Sequence, residues 1–431
     1  MSSFCTGSYI GHNLRFGDAH FTSCVKTMRF LVGLIVFAFS PTVNAGFVSV
    51  PRPVVALLTD PEANTAPAEA KTEACRGGIG RSTKMEMAPS DSAGAVAGAA
   101  RSRGLFAFTP LIRSRPLSNL LGGDRSVYLK LDCLQSSGSF KDRGMGHLCL
   151  TFQSVQGAAR LISSSGGNAG LAAATVGREL GMEVSVIVPE TTKDLVIEKL
   201  RGLGADVTVH GPNWNEADAL ARERAETDDL AEYVSPYDHP LLWTGHSTLV
   251  DELAEDFGGK DEEMGCIVTS VGGGGLICGV FEGLERNGLN NVAVIAAETE
   301  GAASFGRAFN SGKKVRLDSI DSVATSLGAL EVTDVALSRA AGHQSRGGSD
   351  RVKTGICTDA EAIEACVRFA GDHRILVEPA CGAALAVVYS DRLRKELEAV
   401  VPEGRAVVVE VCGGSGVSIE LLEMWKRDFL E

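Results

Sequence analysis

From residue 104 onward, short runs of β-branched residues alternate with longer stretches rich in Ala, Leu, Glu and Lys. Strands that alternate with helices need crossover connections, which place the strands side by side in a parallel sheet. Between two of the runs, apolar residues recur at helical spacing over 193–203, and Gly204 is typical of a helix end. The alternation therefore predicts an α/β fold with open, mostly parallel, twisted sheets flanked by helices. The runs predicted as strands span residues 127–131, 184–188, 206–209, 266–270, 292–296 and 406–411.

The distribution of charge divides the chain near residue 103. The 431 residues carry a net charge of −13, but residues 1–103 hold 10 basic and 7 acidic side chains. The remaining residues therefore carry 31 basic and 47 acidic side chains, a net charge of −16. Because nucleic-acid-binding proteins usually present a basic surface, this balance argues against a nucleic-acid partner.

The N-terminal region has the composition of a targeting segment followed by a flexible, low-complexity leader. Lys26 and Arg29 precede an apolar run at 30–39, which Pro41 and small residues follow. This order is typical of a signal peptide, and the run is too short to cross a membrane, which takes ~20 residues. We predict a targeting segment at 1–45 and the leader at 46–103. A mispredicted upstream exon or an ordinary apolar segment is the alternative, and the mature protein is expected in the cytoplasm or an organelle.

Eleven cysteines are scattered singly along the chain, without a C-x-x-C pair. This pattern argues against a disulfide framework and against a structural zinc site. Several lie in apolar runs, where a free cysteine behaves as a small buried hydrophobic residue. A reducing compartment fits this pattern best.

Three clusters of glycine and polar residues lie where ligand sites occur in such folds, at the carboxyl ends of strands. Residues 271–276, VGGGGL, follow a predicted strand and lead into a helix, an arrangement that favours a phosphate cradle over a flexible turn. Residues 163–170, SSSGGNAG, precede a helix and favour either a carboxylate site or simple capping. Residues 137–144, SGSFKDRG, contain Lys141, which without further context is an ordinary surface lysine.

Taken together, these segments resemble the tryptophan-synthase-β-like (fold type II) pyridoxal-phosphate enzymes, and within them the serine dehydratases or L-serine/threonine ammonia-lyases. The resemblance runs from about residue 108 to the C-terminus. It implies two sheets with the cofactor in the cleft between domains, and a small domain at about 139–241 inserted into a large domain formed by 104–138 and 242–431. The motifs that carry it are FTP at 108–110, GSFKDRG at 138–144, GHLC at 146–149, SSGGNAG at 164–170, SVGGGGL at 270–276, ETEGA at 298–302, LVEPACGAAL at 376–385 and VCGGS at 411–415.

The resemblance also implies roles for individual residues. Lys141 would be the catalytic residue, forming the Schiff base with pyridoxal 5'-phosphate, and Phe140 would flank the pyridine ring. Cys412 would face the pyridine nitrogen. The residues that would hold the phosphate are Gly272, Gly273, Gly274, Gly275 and Leu276. Those that would bind the substrate carboxylate are Ser165, Gly166 and Asn168, with Asn168 also contacting the cofactor 3-hydroxyl. A monovalent cation such as K⁺ would lie near Glu298, Ala302, Leu327 and Ala329.

The activity implied by the resemblance is that of a lyase. L-serine would lose water and ammonia to give pyruvate, and L-threonine would give 2-oxobutanoate, as in amino-acid catabolism and gluconeogenesis. The enzyme would be a homodimer without a stable membrane span. A thiol at position 412 is a weak hydrogen-bond donor that does not enforce a protonated pyridine nitrogen, and this favours elimination over racemisation or transamination.

Two alternatives stay open from the sequence. Asp142 in SFKDRG also resembles threonine synthase, which acts on O-phosphohomoserine, although Cys412 and the EPACGAA stretch favour the dehydratase. A non-catalytic binding protein with the same fold is the other alternative, but the intact Lys141 and glycine cradle argue against it. The preference between serine and threonine is not fixed, because Tyr237, Gly166 and Ser326 would line the pocket where relatives vary.

Overall fold

A computed structural model of the chain describes residues 90–348 and 350–431. The predicted targeting segment and the leader up to residue 89 lie outside the described residues. The strands are β1 Leu111–Arg113, β2 Val127–Lys130, β3 Arg160–Ser163, β4 Glu183–Val188, β5 Asp206–Val209, β6 Ala231–Val234, β7 Met264–Ser270, β8 Ala293–Thr299, β9 Val352–Cys357 and β10 Ala406–Glu410. The helices are α1 Ser90–Ser102, α2 Arg115–Leu121, α3 Lys141–Gln156, α4 Asn168–Leu180, α5 Asp194–Gly202, α6 Trp214–Thr227, α7 Pro240–Phe257, α8 Gly275–Arg286, α9 Ser304–Ser311, α10 Asp334–Gly347, α11 Asp359–His373, α12 Pro379–Tyr389, α13 Asp391–Val400 and α14 Ile419–Leu430.

Six strands form the larger sheet, in the order β1-β2-β10-β7-β8-β9, and among them only the pairing of β1 with β2 is antiparallel. Successive residues of β7 face opposite sides of this sheet. Ile267 joins the core that α7 and α8 cover, whereas Val268 joins the core that α12 covers. Because both faces are buried, the central strands are mostly apolar, with buried polar residues such as Glu298 and Glu410 towards their carboxyl ends.

Four parallel strands form the smaller sheet, in the order β5-β4-β3-β6. In β3, Leu161 packs towards the core that contains α4, and Ile162 packs against α6 on the opposite face. All four strands lie between residues 160 and 234, inside the segment at 139–241 that we predicted as the small domain. The two mostly parallel, helix-covered sheets confirm the predicted fold class.

The structure differs from the prediction at the C-terminal end of the leader. Residues 90–102 form the helix α1, which packs on α3 and buries Ala97 and Ala100. Small side chains allow a helix to approach its neighbour closely, and alanine has the highest helix propensity. The run of small residues that suggests a low-complexity segment therefore continues the folded region upstream of residue 103.

None of the helices in the described ranges combines the length and the apolar character needed to span a membrane.

Candidate active site

Lys141 is the first residue of α3 and lies at the carboxyl edge of the larger sheet. The N–H group of Phe140 donates a hydrogen bond to the carbonyl oxygen of Cys412 at 3.1 Å, just beyond the end of β10. The Nζ atom of Lys141 donates to the carbonyl oxygen of Pro236 at 2.7 Å. Lys141, Cys412 and Pro236, which are far apart in the sequence, therefore meet here. Lys141 and Cys412 are predicted site residues, and Pro236 directly precedes the predicted pocket residue Tyr237.

The surroundings of Lys141 favour the neutral amine. Burial lowers the pKa of Lys141 from its ordinary value of 10.5 to about 8, while the nearby Cys412 opposes the shift. The aromatic ring of Phe140 lies 4.9 Å from the Nζ atom and forms part of this environment. Because only a neutral amine can attack a carbonyl or accept a proton, Lys141 is available as a nucleophile and as a base at mildly alkaline pH.

Two residues further along α3, Arg143 is fully buried in an ion-pair network. Its guanidinium group donates to Asp132 at 2.7 Å and to Glu252 at 2.7 and 2.8 Å. Asp132 follows β2 and Glu252 lies on α7, so the network ties the beginning of α3 to two other elements. Removing one partner from a buried ion pair is costly, and the network therefore fixes the segment that carries Lys141.

The glycine segment 272–275 connects β7 to α8, as predicted. Gly274 has a φ of +96°, a conformation that residues with a side chain rarely adopt. A Cβ atom on Gly273 would overlap the ring of Tyr237, which directly follows the proline that Lys141 contacts. The first N–H groups of α8 have no acceptor within the helix. The segment thus has the close backbone approach and the free donors of an anion cradle, beside Lys141.

Asn168 is the first residue of α4, and its side-chain amide bridges the two sheets. Its Oδ1 atom accepts hydrogen bonds from the backbone N–H and the hydroxyl of Ser415, at 3.0 and 3.1 Å. Its Nδ2 atom donates to the carboxylate of Glu378 at 3.1 and 3.3 Å. The loop after β3 is therefore joined to the segment that follows Cys412.

Ser165 and Gly166 lie in the same loop as Asn168, at the carboxyl end of β3. The hydroxyl of Ser165 accepts a hydrogen bond from the N–H group of Gly167 at 3.3 Å, which shapes the turn into α4. A Cβ atom on Gly166 would lie 3.2 Å from the methyl group of Thr192, so this position has little room for a larger side chain. The three residues predicted to bind a substrate carboxylate thus share one loop.

Cys412 is buried, and its sulfur atom lies 3.6 Å from the hydroxyl of Ser270. Ser270 is the last residue of β7 and lies just before the glycine segment. A hydrogen bond with the thiol of Cys381, followed by burial, raises the pKa of Cys412 well above its ordinary value. The side chain is therefore a neutral thiol at physiological pH, able to donate or accept only weak hydrogen bonds.

Glu298 is the penultimate residue of β8 and has no exposed surface. Its two oxygen atoms accept hydrogen bonds from the backbone N–H groups of Phe305, at 2.9 Å, and Gly306, at 2.7 Å. Burial raises the pKa of Glu298 to about 8, and these two N–H groups oppose the shift. The carboxyl group therefore holds the beginning of α9 against β8.

The other three residues of the predicted cation site lie in short helical turns. Ala302 ends the turn Glu300–Ala302, Leu327 ends the turn Thr325–Leu327, and Ala329 follows two residues later. The carbonyl oxygen of Leu327 accepts from the N–H group of Ala329 at 2.7 Å and lies next to Gly272. Within residues 90–348 and 350–431, no group of three or more His, Cys, Asp or Glu side chains is arranged to hold a metal ion.

Two buried residues that contact predicted site residues were not assigned a role from the sequence. Glu378 lies inside the EPACGAA stretch, but the residues that it contacts are far away in the chain. His246 on α7 is fully buried, its ring centre lies 5.0 Å from that of Phe140, and neither ring nitrogen has a hydrogen-bond partner among the described residues. Burial, reinforced by Lys141 and Arg143, holds the pKa of His246 well below its ordinary value, so its ring is neutral. Nothing in a local sequence pattern marks either residue.

Asp142 provides a test of the electrostatics beside Lys141. It is fully buried, its Oδ2 atom accepts from the N–H group of Ser137 at 2.8 Å, and its Oδ1 atom has no partner. Burial raises the pKa of Asp142 to about 6, and the bonds from Ser137 oppose the shift. The folded protein therefore holds a proton that the unfolded chain has lost between about pH 4 and 6, so stability falls as the pH rises through this window.

We therefore expect Asp142→Asn to stabilise the protein at about pH 8, by on the order of 1–3 kcal/mol, because the amide is neutral and still accepts from Ser137. The gain should be constant above about pH 6 and shrink as the pH is lowered from about 6 to 4, where the carboxyl group is neutral as well. Urea unfolding of the two proteins across this pH range measures the effect. An equal gain at every pH would show that the charge of Asp142 is not its cause.

Known proteins resemble this chain in both sequence and structure. Residues 103–413 match the family model described as pyridoxal-phosphate dependent enzyme. The human L-serine dehydratase/L-threonine deaminase is 44% identical over 324 residues, which cover 74% of this chain and 94% of the relative. The L-serine dehydratase of Dictyostelium discoideum is 38% identical over 343 residues, covering 78% of this chain and 96% of the relative. The crystal structure of an L-serine ammonia-lyase from the fungus Rhizomucor miehei matches with a TM-score of 0.68 at 33% identity, covering 75% of this chain and 99% of that one.

The family match covers most of the described residues and includes both sheets, Lys141 and the glycine segment. The identities of 44% and 38% extend over nearly the whole length of the two relatives. This chain therefore belongs to the pyridoxal-phosphate dependent enzymes, in the group formed by the L-serine dehydratases and L-threonine deaminases.

Proposed function

We propose that the protein catalyses the pyridoxal-phosphate-dependent dehydration and deamination of L-serine to pyruvate and ammonia, and of L-threonine to 2-oxobutanoate and ammonia. Relatives that carry both activities in their names are 44% identical to this chain. The single observation in the structure that supports it most is the half-buried Lys141, with its pKa lowered to about 8, beside a glycine cradle. A lysine in this state is what covalent chemistry with an aldehyde cofactor requires.

The residues of the site fit pyridoxal phosphate. We assign the phosphate to the glycine segment 272–275 and to the first turn of α8, including Leu276, because the N–H groups at the start of α8 have no acceptor within the helix and can donate to an anion. Lys141 and Phe140 lie beside this cradle, and Cys412 lies next to both Phe140 and Ser270. When bound, the cofactor supplies an electron sink that stabilises negative charge at the substrate Cα atom.

Lys141 is the group that we expect to move the Cα proton. Its amine is partly neutral near neutral pH, so it can accept a proton and later return it as an ammonium group. We assign the substrate carboxylate to Ser165, Gly166 and Asn168, because N–H groups and hydroxyls converge at the beginning of α4. The anion is thereby held by uncharged donors rather than by an arginine.

The neutral Cys412 influences which reaction follows proton removal. A carboxylate at this position would hold the pyridine nitrogen protonated, whereas a thiol with a raised pKa remains uncharged. A less electron-withdrawing ring stabilises a free carbanion less, and this favours prompt loss of the β-hydroxyl group. We therefore infer that elimination is favoured over racemisation.

We also propose a monovalent cation such as K⁺ near Glu298 and the carbonyl groups of Ala302, Leu327 and Ala329. The support for this assignment is the position of Leu327 beside Gly272, where a bound ion would brace the glycine segment.

We further propose a homodimer, and a division into a small domain at about 139–241 and a large domain formed by 104–138 and 242–431. The four-stranded sheet between residues 160 and 234 supports this division.

The substrate can be tested directly with the purified full chain and added pyridoxal phosphate. L-Serine, L-threonine and O-phosphohomoserine are offered separately, and the release of 2-oxo acid, ammonia and phosphate is followed. We expect equal amounts of 2-oxo acid and ammonia from serine and threonine, and no phosphate from phosphohomoserine. Phosphate release without any 2-oxo acid would identify a threonine synthase and overturn the proposal.

A further inference from the structure

The carboxylate of Glu378 connects three separate segments around the cleft. Glu378 directly precedes α12, and only 6% of its surface is exposed. It accepts hydrogen bonds from the Nδ2 atom of Asn168 at 3.1 Å, from the hydroxyl of Ser326 at 2.7 Å and from the N–H group of Gly416 at 2.7 Å. We call Glu378 and these three donors, together with Ser415, the Glu378 latch.

The segment after Cys412 is shaped around this carboxylate. Gly414 has a φ of +119°, and a Cβ atom on it would overlap the carboxyl group of Glu378. A Cβ atom on Gly416 would lie 2.8 Å from the Oε1 atom of the same carboxylate. Side chains are absent at both positions where the carboxylate approaches, so the site is built to hold Glu378 in place.

The latch fixes the orientation of the Asn168 amide. Its Oδ1 atom accepts two bonds from Ser415, and its Nδ2 atom donates to Glu378. If the amide were rotated by half a turn, its oxygen would face the Glu378 carboxylate and its NH₂ group would face the N–H of Ser415. Both contacts would be repulsive, so only one orientation is favourable. In this orientation, one N–H bond of Asn168 is used by Glu378 and the second is left to donate to a ligand.

The chemistry of the carboxylate suits three donors. An ionised carboxylate offers about four acceptor positions on its two oxygens, whereas a glutamine amide offers one oxygen and an NH₂ group that is itself a donor. Glutamine at position 378 would set its own NH₂ group against at least one of Asn168, Ser326 and Gly416. The three contacts therefore require the charge of Glu378 as well as its shape.

We propose that Glu378 is a positioning residue for the reaction, and that it holds Asn168 with one amide N–H directed as a donor towards an oxygen of the bound cofactor. This inference rests on the proposed function, since the ligand that Asn168 serves is pyridoxal phosphate. Through Asn168 and Gly416, the same carboxylate holds the loop of the smaller sheet against the segment that carries Cys412. The positions of Asn168 and of the segment after Cys412 thus both depend on Glu378, to which we assign no direct contact with the cofactor.

The test compares Glu378→Gln with a matched control, Glu361→Gln. Glu361 also accepts from a backbone N–H group, a serine hydroxyl and a side-chain N–H group, those of Thr358, Ser390 and Arg392, but it contacts none of the assigned site residues. Hydrogen exchange is measured in the cofactor-free full chain, and the visible absorbance spectrum and its pH dependence are recorded after pyridoxal phosphate is added. The parameters kcat and KM for L-serine are determined separately.

For Glu378→Gln we expect faster exchange at residues 163–170 and 412–416, a changed cofactor spectrum and a kcat lowered by up to roughly 100-fold, as for a misplaced ligand contact. For Glu361→Gln, exchange should change only near the starts of α11 and α13, and the spectrum should match that of the wild type. Glu378→Asp keeps the charge but withdraws it by one methylene group. We expect Glu378→Asp to show the same changes in exchange and spectrum, so it can replace Glu378→Gln in the test if the glutamine variant does not fold.

The proposal is overturned if both Glu378 variants show the spectrum and pH dependence of the wild type, even when their stability is reduced, because the carboxylate would then only support the fold. This outcome differs from a failure of the proposed function. If the wild-type chain formed no 2-oxo acid from serine, the exchange measurement on the cofactor-free protein would still decide whether Glu378 orders the loop of Asn168.

Discussion

Replacing Lys141 with alanine is expected to lower kcat/KM for L-serine by roughly 10⁴-fold or more, the largest effect of any single change in this chain. Lys141 is both the amine beside the glycine cradle and the group whose pKa, about 8, allows it to carry a proton at physiological pH. Alanine removes both functions. The neighbouring His246 does not replace it, because burial and the adjacent Arg143 still hold its pKa low and keep its ring from gaining a proton.

The measurement is 2-oxo acid release by the two proteins at equal cofactor loading. Lys353→Ala is a suitable control, since Lys353 is an exposed lysine that pairs with Asp350 at 2.7 Å, away from the cleft. It should have the activity of the wild type. Should Lys141→Ala retain activity comparable to that of Lys353→Ala, the assignment of the catalytic lysine would be wrong.

Arg143→Met is expected to destabilise the folded protein by about 3–5 kcal/mol, the typical cost of removing one partner from a buried ion pair. Arg143 donates to both Asp132 and Glu252, and none of the three side chains is more than 2% exposed. Without the guanidinium group, Asp132 is left as a buried charge without a cation, although Lys130 still pairs with Glu252 at 2.8 Å. Since Arg143 lies two residues after Lys141, activity should fall before the protein unfolds globally.

Urea unfolding, followed by circular dichroism, measures this loss of stability. Arg286→Met is the matched control, because Arg286 also pairs with a carboxylate, that of Asp251 at 2.7 Å, but both side chains are 41% exposed. An exposed pair contributes less than about 1 kcal/mol. Equal losses in the two variants would contradict the idea that the buried network holds the beginning of α3.

The sequence predicts the central strands of the larger sheet well and most edge strands poorly, although the edge strand β5 matches its predicted run at 206–209 and the central strand β3 lies outside the predicted runs. The runs at 266–270 and 406–411 correspond closely to β7 and β10, which are buried on both faces and therefore mostly apolar. By contrast, β9 lies at the edge of the larger sheet and contains Lys353 and Gly355, so it lacks a continuous apolar run. The edge strand β6 of the smaller sheet is only four residues long and contains Glu232.

The candidate site divides in a similar way. The glycine segment is predicted from its position between a strand and a helix, whereas Lys141 and Asn168 are assigned from the sequence because they lie in motifs that resemble those of a known enzyme family. The role of Glu378 depends on Asn168, which is 210 residues away, and on two glycines that leave space for its carboxylate. Contacts of this kind follow from how the two sheets face each other, and no periodicity or spacing along the chain reports them.

The central claim is that Lys141 is the residue to which pyridoxal phosphate is joined in this enzyme. The most direct test is to load the full chain with the cofactor, reduce it with borohydride, digest it and locate the attached cofactor by mass spectrometry. We predict that the label is on the peptide that contains Lys141, and that adding L-serine before reduction lowers the labelling. Attachment to a different lysine, or a protein that takes up no cofactor, would contradict the account.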